Sequence, residues 1–142
     1  MFDFKFDWQD DLNTQISSID EQHKELFRIA RSIEQLLLTG CINVEFKRLL
    51  NIICNLREYV SYNFYEEEML MRKFNYSDYE EHIKSHEKFK NIIMDIELSK
   101  VEEKPYEELK KIKDNIQDWI FQHMMIEDMK MAEEILKNQP CV

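Results

Sequence analysis

Apolar side chains recur along most of the chain at a spacing near 3.5 residues, the period of helices that pack together in a bundle. Breaks in this pattern fall at Thr39-Gly40, at Asn75-Tyr76-Ser77 and in a polar linker over 99–104. We therefore predict four helices, over about 18–38, 44–74, 78–98 and 105–136. A non-helical arm over 1–17 precedes them and a tail over 138–142 follows them.

Helix-start signals agree with these limits. Ser18 with Glu21 three residues later has the form of a capping box, Ser77 or Asp78 can open the third helix, and Pro105 suits the first turn of the fourth. Short connections make sequential helices antiparallel neighbours. The pattern predicts an all-α, up-down-up-down four-helix bundle.

Polar residues interrupt each apolar stripe. Asn63 and Glu67 occupy positions in the second stripe where an apolar side chain is expected. All four histidines of the chain also lie on stripes. The full set of inward polar residues is His23, Asn63, Glu67, His82, His86, His123 and Asp128.

These seven residues, which we call the ligand layer, lie near one end of the predicted bundle. They follow the start of the first and third helices and precede the end of the second and fourth, within about 6 to 20 Å of that end at about 1.5 Å per residue. Each unpaired buried polar group costs about 1–3 kcal/mol. A bound metal ion would give these buried polar groups a common partner. Imidazole with carboxylate suits iron, zinc or manganese.

Several motifs in this order carry a resemblance to a known family. They are Trp8 in the arm, the segments 19–27 and 63–71, the pair His82-x3-His86, and the segment 119–128. With them the chain resembles the hemerythrin family, in particular bacterial hemerythrins, as a single hemerythrin-like domain over 1–142. The resemblance implies two iron ions with an oxo or hydroxo bridge. It implies that His82, His86 and His123 hold one iron, that His23 holds the other, and that Glu67 and Asp128 bridge them.

The chain departs from the family pattern at Asn63, where the family has a histidine. The second iron then loses a ligand, unless Asn63 supplies its carbonyl oxygen, which is a weaker ligand than imidazole. The resemblance also places a dioxygen pocket over the open metal position. Phe27, Phe64, Trp119 and Ile120 are expected to line this pocket, and plain core packing is an equal and compatible interpretation.

Periodicity distinguishes the inward carboxylates from their neighbours in sequence. Only Glu67 of the run 66–68 lies on the stripe, so Glu66 and Glu68 are expected to be solvated. A simple i, i+4 spacing from His123 would favour Glu127, but Asp128 continues the series Met124, Asp128, Met131, Ile135. The eight methionines are interpreted as core filling rather than copper ligands.

Composition limits the classes of binding partner and the cellular compartment that we expect for this protein. With 19 Lys and Arg against 29 Asp and Glu in 142 residues, the net charge of −10 argues against nucleic acid or an anionic membrane as partner. Cys41, Cys54 and Cys141 show no CxxC spacing, which favours reduced thiols and a cytoplasmic location. No stretch approaches the roughly 20 apolar residues of a membrane span.

The functional prediction is a protein that binds dioxygen reversibly, as a carrier, store or sensor, without turning over a substrate. Two alternatives stay open at this point. A second open metal position would allow di-iron oxidase or peroxidase-like activity, and a single iron or zinc would make the metal purely structural. The oligomeric state is left open.

Overall fold

The computed structural model describes residues 6–139, so the start of the predicted arm (1–5) and the end of the predicted tail (140–142) lie outside the described residues. The α-helices are α1 (Ser17–Leu38), α2 (Phe46–Lys73), α3 (Tyr79–Met94), α4 (Leu98–Glu103), α5 (Pro105–Trp119) and α6 (Met129–Asn138). A π-helical segment (Ile120–Asp128) joins α5 to α6 in unbroken helical backbone, and a short 3-10 turn (Asp10–Leu12) lies in the arm. Within 6–139 the chain forms no strand.

Four long helical stretches make up the body of the molecule, since α5, the π segment and α6 run on as one fourth helix. α1 packs against α2 and α5, and α2 also packs against α3 and α6. The predicted all-α four-helix bundle is confirmed.

The predicted linker over 99–104 is largely helical, which corrects the sequence-based expectation. The third helix ends at Met94 instead of about residue 98, and the separate helix α4 follows. Val101 of α4 is fully buried, and its N–H donates to the carbonyl oxygen of Glu97 at 3.2 Å. Leu98, at the start of α4, also packs against the core, so two apolar side chains hold this polar segment in place.

The start of α1 is stabilised differently from the predicted capping box. Ile16 occupies the N-cap position, and no side chain caps the helix. Instead, the carboxylate of Asp20 accepts hydrogen bonds of 2.8 Å from both the backbone N–H and the hydroxyl of Thr14. This contact fastens the arm to the first turn of α1.

The π segment decides which residues of the fourth helix face the core. Its hydrogen bonds run from residue i to i+5, so residues five apart come to lie on one face. His123 and Asp128 are five residues apart and are both buried. A regular α-helix would turn them well away from each other, which is why simple i, i+4 spacing pointed to Glu127.

Two apolar clusters enclose the ligand layer along the bundle. The larger one fills most of the core, and the smaller one comprises Met71, Tyr76, Met131 and Ile135. Met71, Met124 and Met131 are at most 2% exposed, as expected of core filling. No helix in the described part of the chain is both long and apolar enough to cross a membrane.

Candidate metal centre

All four helical stretches contribute to the ligand layer. His23 comes from α1, Asn63 and Glu67 from α2, His82 and His86 from α3, and His123 and Asp128 from the π segment. None of the seven side chains is more than 2% exposed. Ligand-capable atoms of Glu67, His82, His86, His123 and Asp128 all lie within 4.8 Å of one another. The helices therefore place these groups at one point in the core.

Glu67 lies between histidines of two different helices. Its Oε2 is 3.1 Å from Nε2 of His23, and its Oε1 is 3.2 Å from Nε2 of His82 and 3.0 Å from Nε2 of His86. The carboxylate thus contacts the α1 side with one oxygen and the α3 side with the other.

Asp128 has the same arrangement on the opposite wall. Its Oδ2 is 3.1 Å from Nε2 of His23, and its Oδ1 is 3.1 Å from Nε2 of His82 and 3.0 Å from Nε2 of His123. Both carboxylates therefore occupy positions from which they could bridge two ions.

The orientations of these groups fit metal binding better than hydrogen bonding. Both oxygens of Asp128 and Nε2 of His123 lack a hydrogen-bond partner of good geometry within residues 6–139, despite the short distances. Ligand atoms that bind one ion at about 2.1 Å and at right angles are themselves about 3.0 Å apart. Asp128 and His123 thus point at a common centre rather than at a hydrogen-bond partner, although Glu67 hydrogen-bonds to His23, His82 and His86, and the residues present fit a metal.

Charges in the layer balance one another. Burial alone would lower the pKa of His23, but contacts with Asp128 and Glu67 raise it to about 10. Burial and the charge of Asp128 would raise the pKa of Glu67, but hydrogen bonds from His23, His82 and His86 lower it to about 2. Burial would also raise the pKa of Asp128, but the neighbouring histidines hold it well below its ordinary value. Both carboxylates stay ionised and can receive a cation.

Comparison with known proteins decides the family. The model of the hemerythrin HHE cation binding domain matches residues 14–135. The chain belongs to the hemerythrin family. It is 34% identical over 129 residues to the bacteriohemerythrin of Pseudomonas paraeruginosa, covering 90% of this chain and 80% of that protein.

Two other bacteriohemerythrins are similar over comparable lengths. The one from Campylobacter jejuni is 32% identical over 117 residues, which cover 81% of this chain and 84% of that protein. The one from Clostridium acetobutylicum is 29% identical over 131 residues, which cover 90% of this chain and 99% of that protein. The likeness to bacterial hemerythrins therefore spans nearly the whole bundle.

Two of the hemerythrin-type histidines have partners outside the layer. Nδ1 of His86 donates to the carboxylate of Glu68 at 3.0 Å, and Nδ1 of His123 shares a hydrogen bond of 2.8 Å with the hydroxyl of Ser85. A partner on Nδ1 fixes the tautomer and turns Nε2 toward the metal position. The expectation that Glu68 is solvated is wrong: its side chain is only 23% exposed and it binds His86.

The predicted dioxygen-pocket residues take two different places. Phe64 stacks on His86 with ring centroids 4.0 Å apart, and Trp119 stacks on His123 at 3.8 Å. Ile120 is fully buried in the same apolar cluster. Phe27 is buried there as well, and its ring packs against Trp8 of the arm at 5.3 Å. Phe64 and Trp119 thus lie directly against imidazoles of the layer.

Asn63 is tied to a residue that sequence reasoning missed. Its Nδ2 donates to Oε1 of Gln22 at 2.6 Å, and both side chains are buried. Gln22 directly precedes His23 in α1, in the segment that carries the family resemblance. A polar residue on the buried face of α1 was the available signal, but no spacing rule connects it to Asn63 on another helix.

Proposed function

We propose that this chain binds dioxygen reversibly at a non-haem di-iron centre held by the ligand layer, and that it serves as an oxygen carrier, store or sensor. One observation carries the proposal: two fully buried carboxylates, Glu67 and Asp128, each contact histidines on both sides of the layer. Membership of the hemerythrin family and the similarity to bacteriohemerythrins support it.

The proposed ligand set is the one that the family resemblance implies, and the contacts of Glu67 and Asp128 with the histidines support it. His82, His86 and His123 would hold one iron and His23 the other, and the carbonyl oxygen of Asn63 would be a further, weaker ligand of the second iron. Glu67 and Asp128 would be shared by both irons, and the cofactor would include an oxo or hydroxo group. When bound, the two irons supply the reversible electron transfer that dioxygen binding requires.

The protein's own residues keep the centre dry and fixed in orientation. Phe64 and Trp119 cover two imidazole rings, and each of the seven side chains of the layer is at most 2% exposed. Glu68 and Ser85 hold His86 and His123 from outside. Exclusion of water favours clean release of dioxygen over loss of reduced oxygen species.

Optical spectroscopy on iron-loaded protein tests the proposal. Metal-free protein is loaded with ferrous iron under nitrogen and then exposed to air. We expect a visible band that appears in air, disappears when dioxygen is removed, and returns over repeated cycles. Zinc-loaded protein is the matched control and should stay colourless. A visible spectrum that does not respond to air, or a single irreversible change, would contradict reversible binding.

Peroxidase-like oxidation is the second candidate, and one feature favours it. A cavity of about 440 Å³ between α1 and α2 is lined by Gln22 and Tyr59, beside the position where the family pattern has a further histidine. A small oxidant could approach the centre from this side. Steady consumption of hydrogen peroxide with an added reductant, lost in His86→Ala, would favour this candidate over reversible binding. The cytoplasmic location stays a prediction.

A further inference from the structure

Two buried polar groups beside the ligand layer are not used by the centre as described. Tyr59 is 5% exposed and Trp119 is 7% exposed. The Tyr59 hydroxyl and the Trp119 Nε1 have no well-formed hydrogen bond to any residue in the described chain. Unsatisfied polar groups in a core are rare and costly, so a pair of them calls for a partner.

Both groups lie beside Phe64, on the side of the ligand layer that we call its apolar flank. Tyr59 precedes Asn63 by one helical turn and Glu67 by two, so it lies on the same face of α2. Phe64 lies beside both rings, with centroids 6.4 Å from Tyr59 and 5.3 Å from Trp119. Trp119 itself stacks on His123. The two polar groups therefore flank an aromatic ring that covers the centre.

Burial, nearby charges and the indole of Trp119 all affect the pKa of Tyr59. Burial raises the pKa of Tyr59 well above its ordinary value, the negative charges of Glu67 and Asp128 raise it further, and the indole of Trp119 lowers it. The Tyr59 hydroxyl therefore keeps its proton and can act as a hydrogen-bond donor.

The hydrogen-bonding capacity of the two groups determines which one can donate to the other. An indole N–H can only donate, whereas a phenol can donate and accept. If Trp119 donates to the phenolic oxygen, the phenolic hydrogen must turn toward another acceptor. The phenolic oxygen is buried, and Tyr59 lies on the face of α2 that carries Asn63 and Glu67, so the side of the ligand layer is a position from which a bound ligand could supply that acceptor.

We propose that Tyr59, positioned by Trp119, donates a hydrogen bond to the outer atom of the small ligand that the centre binds, either dioxygen or an anion such as azide. This inference rests on the proposed function, because it assumes an exogenous ligand at the centre. It assigns Tyr59 a role in ligand affinity that none of the predicted site residues has.

Azide binding to the ferric, iron-loaded protein provides the test. We expect Tyr59→Phe to weaken azide binding about tenfold, the effect of losing one hydrogen bond to a charged acceptor, with unchanged iron content. Trp119→Phe keeps a ring against His123 but removes the N–H, so we expect a smaller loss in the same direction. Tyr65→Phe is the matched control on the same helix, since Tyr65 is 60% exposed, and its azide affinity should not change.

Two further measurements separate a hydrogen bond from a packing effect. The infrared band of bound azide should shift between H₂O and D₂O in the unaltered protein and in Tyr65→Phe, but not in Tyr59→Phe. In metal-free protein, Tyr59→Phe should have a thermal midpoint close to that of the parent, because the hydroxyl hydrogen has no acceptor there among the described residues.

The outcomes distinguish this inference from the function on which it rests. Equal azide affinity and an equal isotope shift in Tyr59→Phe would overturn the role of Tyr59, while azide and dioxygen binding by the unaltered protein would leave the proposed function intact. Weaker azide binding with a lower iron content and a lower metal-free midpoint would show a structural role and also overturn it. Absence of any azide or dioxygen band in the unaltered protein would overturn both.

Discussion

The half of the ligand layer built by α3 and the π segment has more histidines, and more of them are oriented by hydrogen bonds, than the half built by α1 and α2. In the first half, three histidines converge, and two of them are held at Nδ1 by Glu68 and Ser85. In the second half, His23 is the only imidazole, and the amide of Asn63 is bound to Gln22. The two halves share Glu67 and Asp128. Under the proposed ligand set, we expect the first half to form the stronger metal site and the second half a weaker one that depends on the shared carboxylates.

The largest expected effect comes from removing the metal from both halves. Without it, buried histidines and carboxylates must satisfy one another with poor geometry. We expect the free energy of unfolding to fall by several kcal/mol, on the order of the binding energy lost. Thermal melts with and without a chelator measure this effect. Identical midpoints would rule out a metal-stabilised layer.

The next largest effects should come from histidine substitutions, which should lower the iron content differently in the two halves of the layer. His86→Ala removes a ligand that is held by both Glu68 and Phe64, so we expect it to abolish the three-histidine site. His23→Ala should chiefly empty the weaker site and leave near one iron per chain. Metal analysis of both variants checks this difference. If both variants keep two tightly bound irons, the assignment of ligands to halves is wrong.

Asn63→His should reduce the difference between the halves. It restores the family pattern at a buried position of α2 and adds an imidazole to the weaker half. We expect higher metal occupancy and a lifetime of the air-induced visible band at least about tenfold longer, in line with other changes close to a metal. The decay of the band is followed for both proteins side by side. An already stable band that the substitution does not alter would mean that Asn63 or a neighbour is an adequate ligand.

The smallest effects should come from the outer partners of the stronger half. Glu68→Gln keeps the size of the side chain but weakens its hold on His86, and we expect about a tenfold loss of iron affinity at the three-histidine site. Glu66→Gln, two positions earlier on the same helix and without a contact to His86 in the ion pairs of the layer, is the matched control. Competition with a chelator measures both. Equal iron affinities in the two variants would show that Glu68 is only a surface residue near His86.

The sequence allowed prediction of the parts of this site that lie on single helices. Periodicity identified His82 and His86 on one stripe, and it favoured Asp128 over Glu127 before the π segment gave the reason. Each of these positions follows from the spacing of residues along one helix, so the sequence alone is enough to identify it.

Contacts between helices were not predictable in the same way. Glu68 with His86, Ser85 with His123, and Gln22 with Asn63 each join residues on different helices, and their pairing depends on rotation and depth in the bundle. Helix α4 was missed for a related reason, because only its contacts with the core, through Val101 and Leu98, distinguish it from a polar linker. The family resemblance supplied the ligand set but not the partners that orient it.

The central claim, two unequal iron sites in one layer, is tested most directly by anaerobic titration of the metal-free protein with ferrous iron. We predict that two ions bind per chain in two separable steps, and that His23→Ala retains the tighter step and loses the weaker one. Binding of a single ion, or of two ions with equal affinity that His23→Ala weakens alike, would contradict the account.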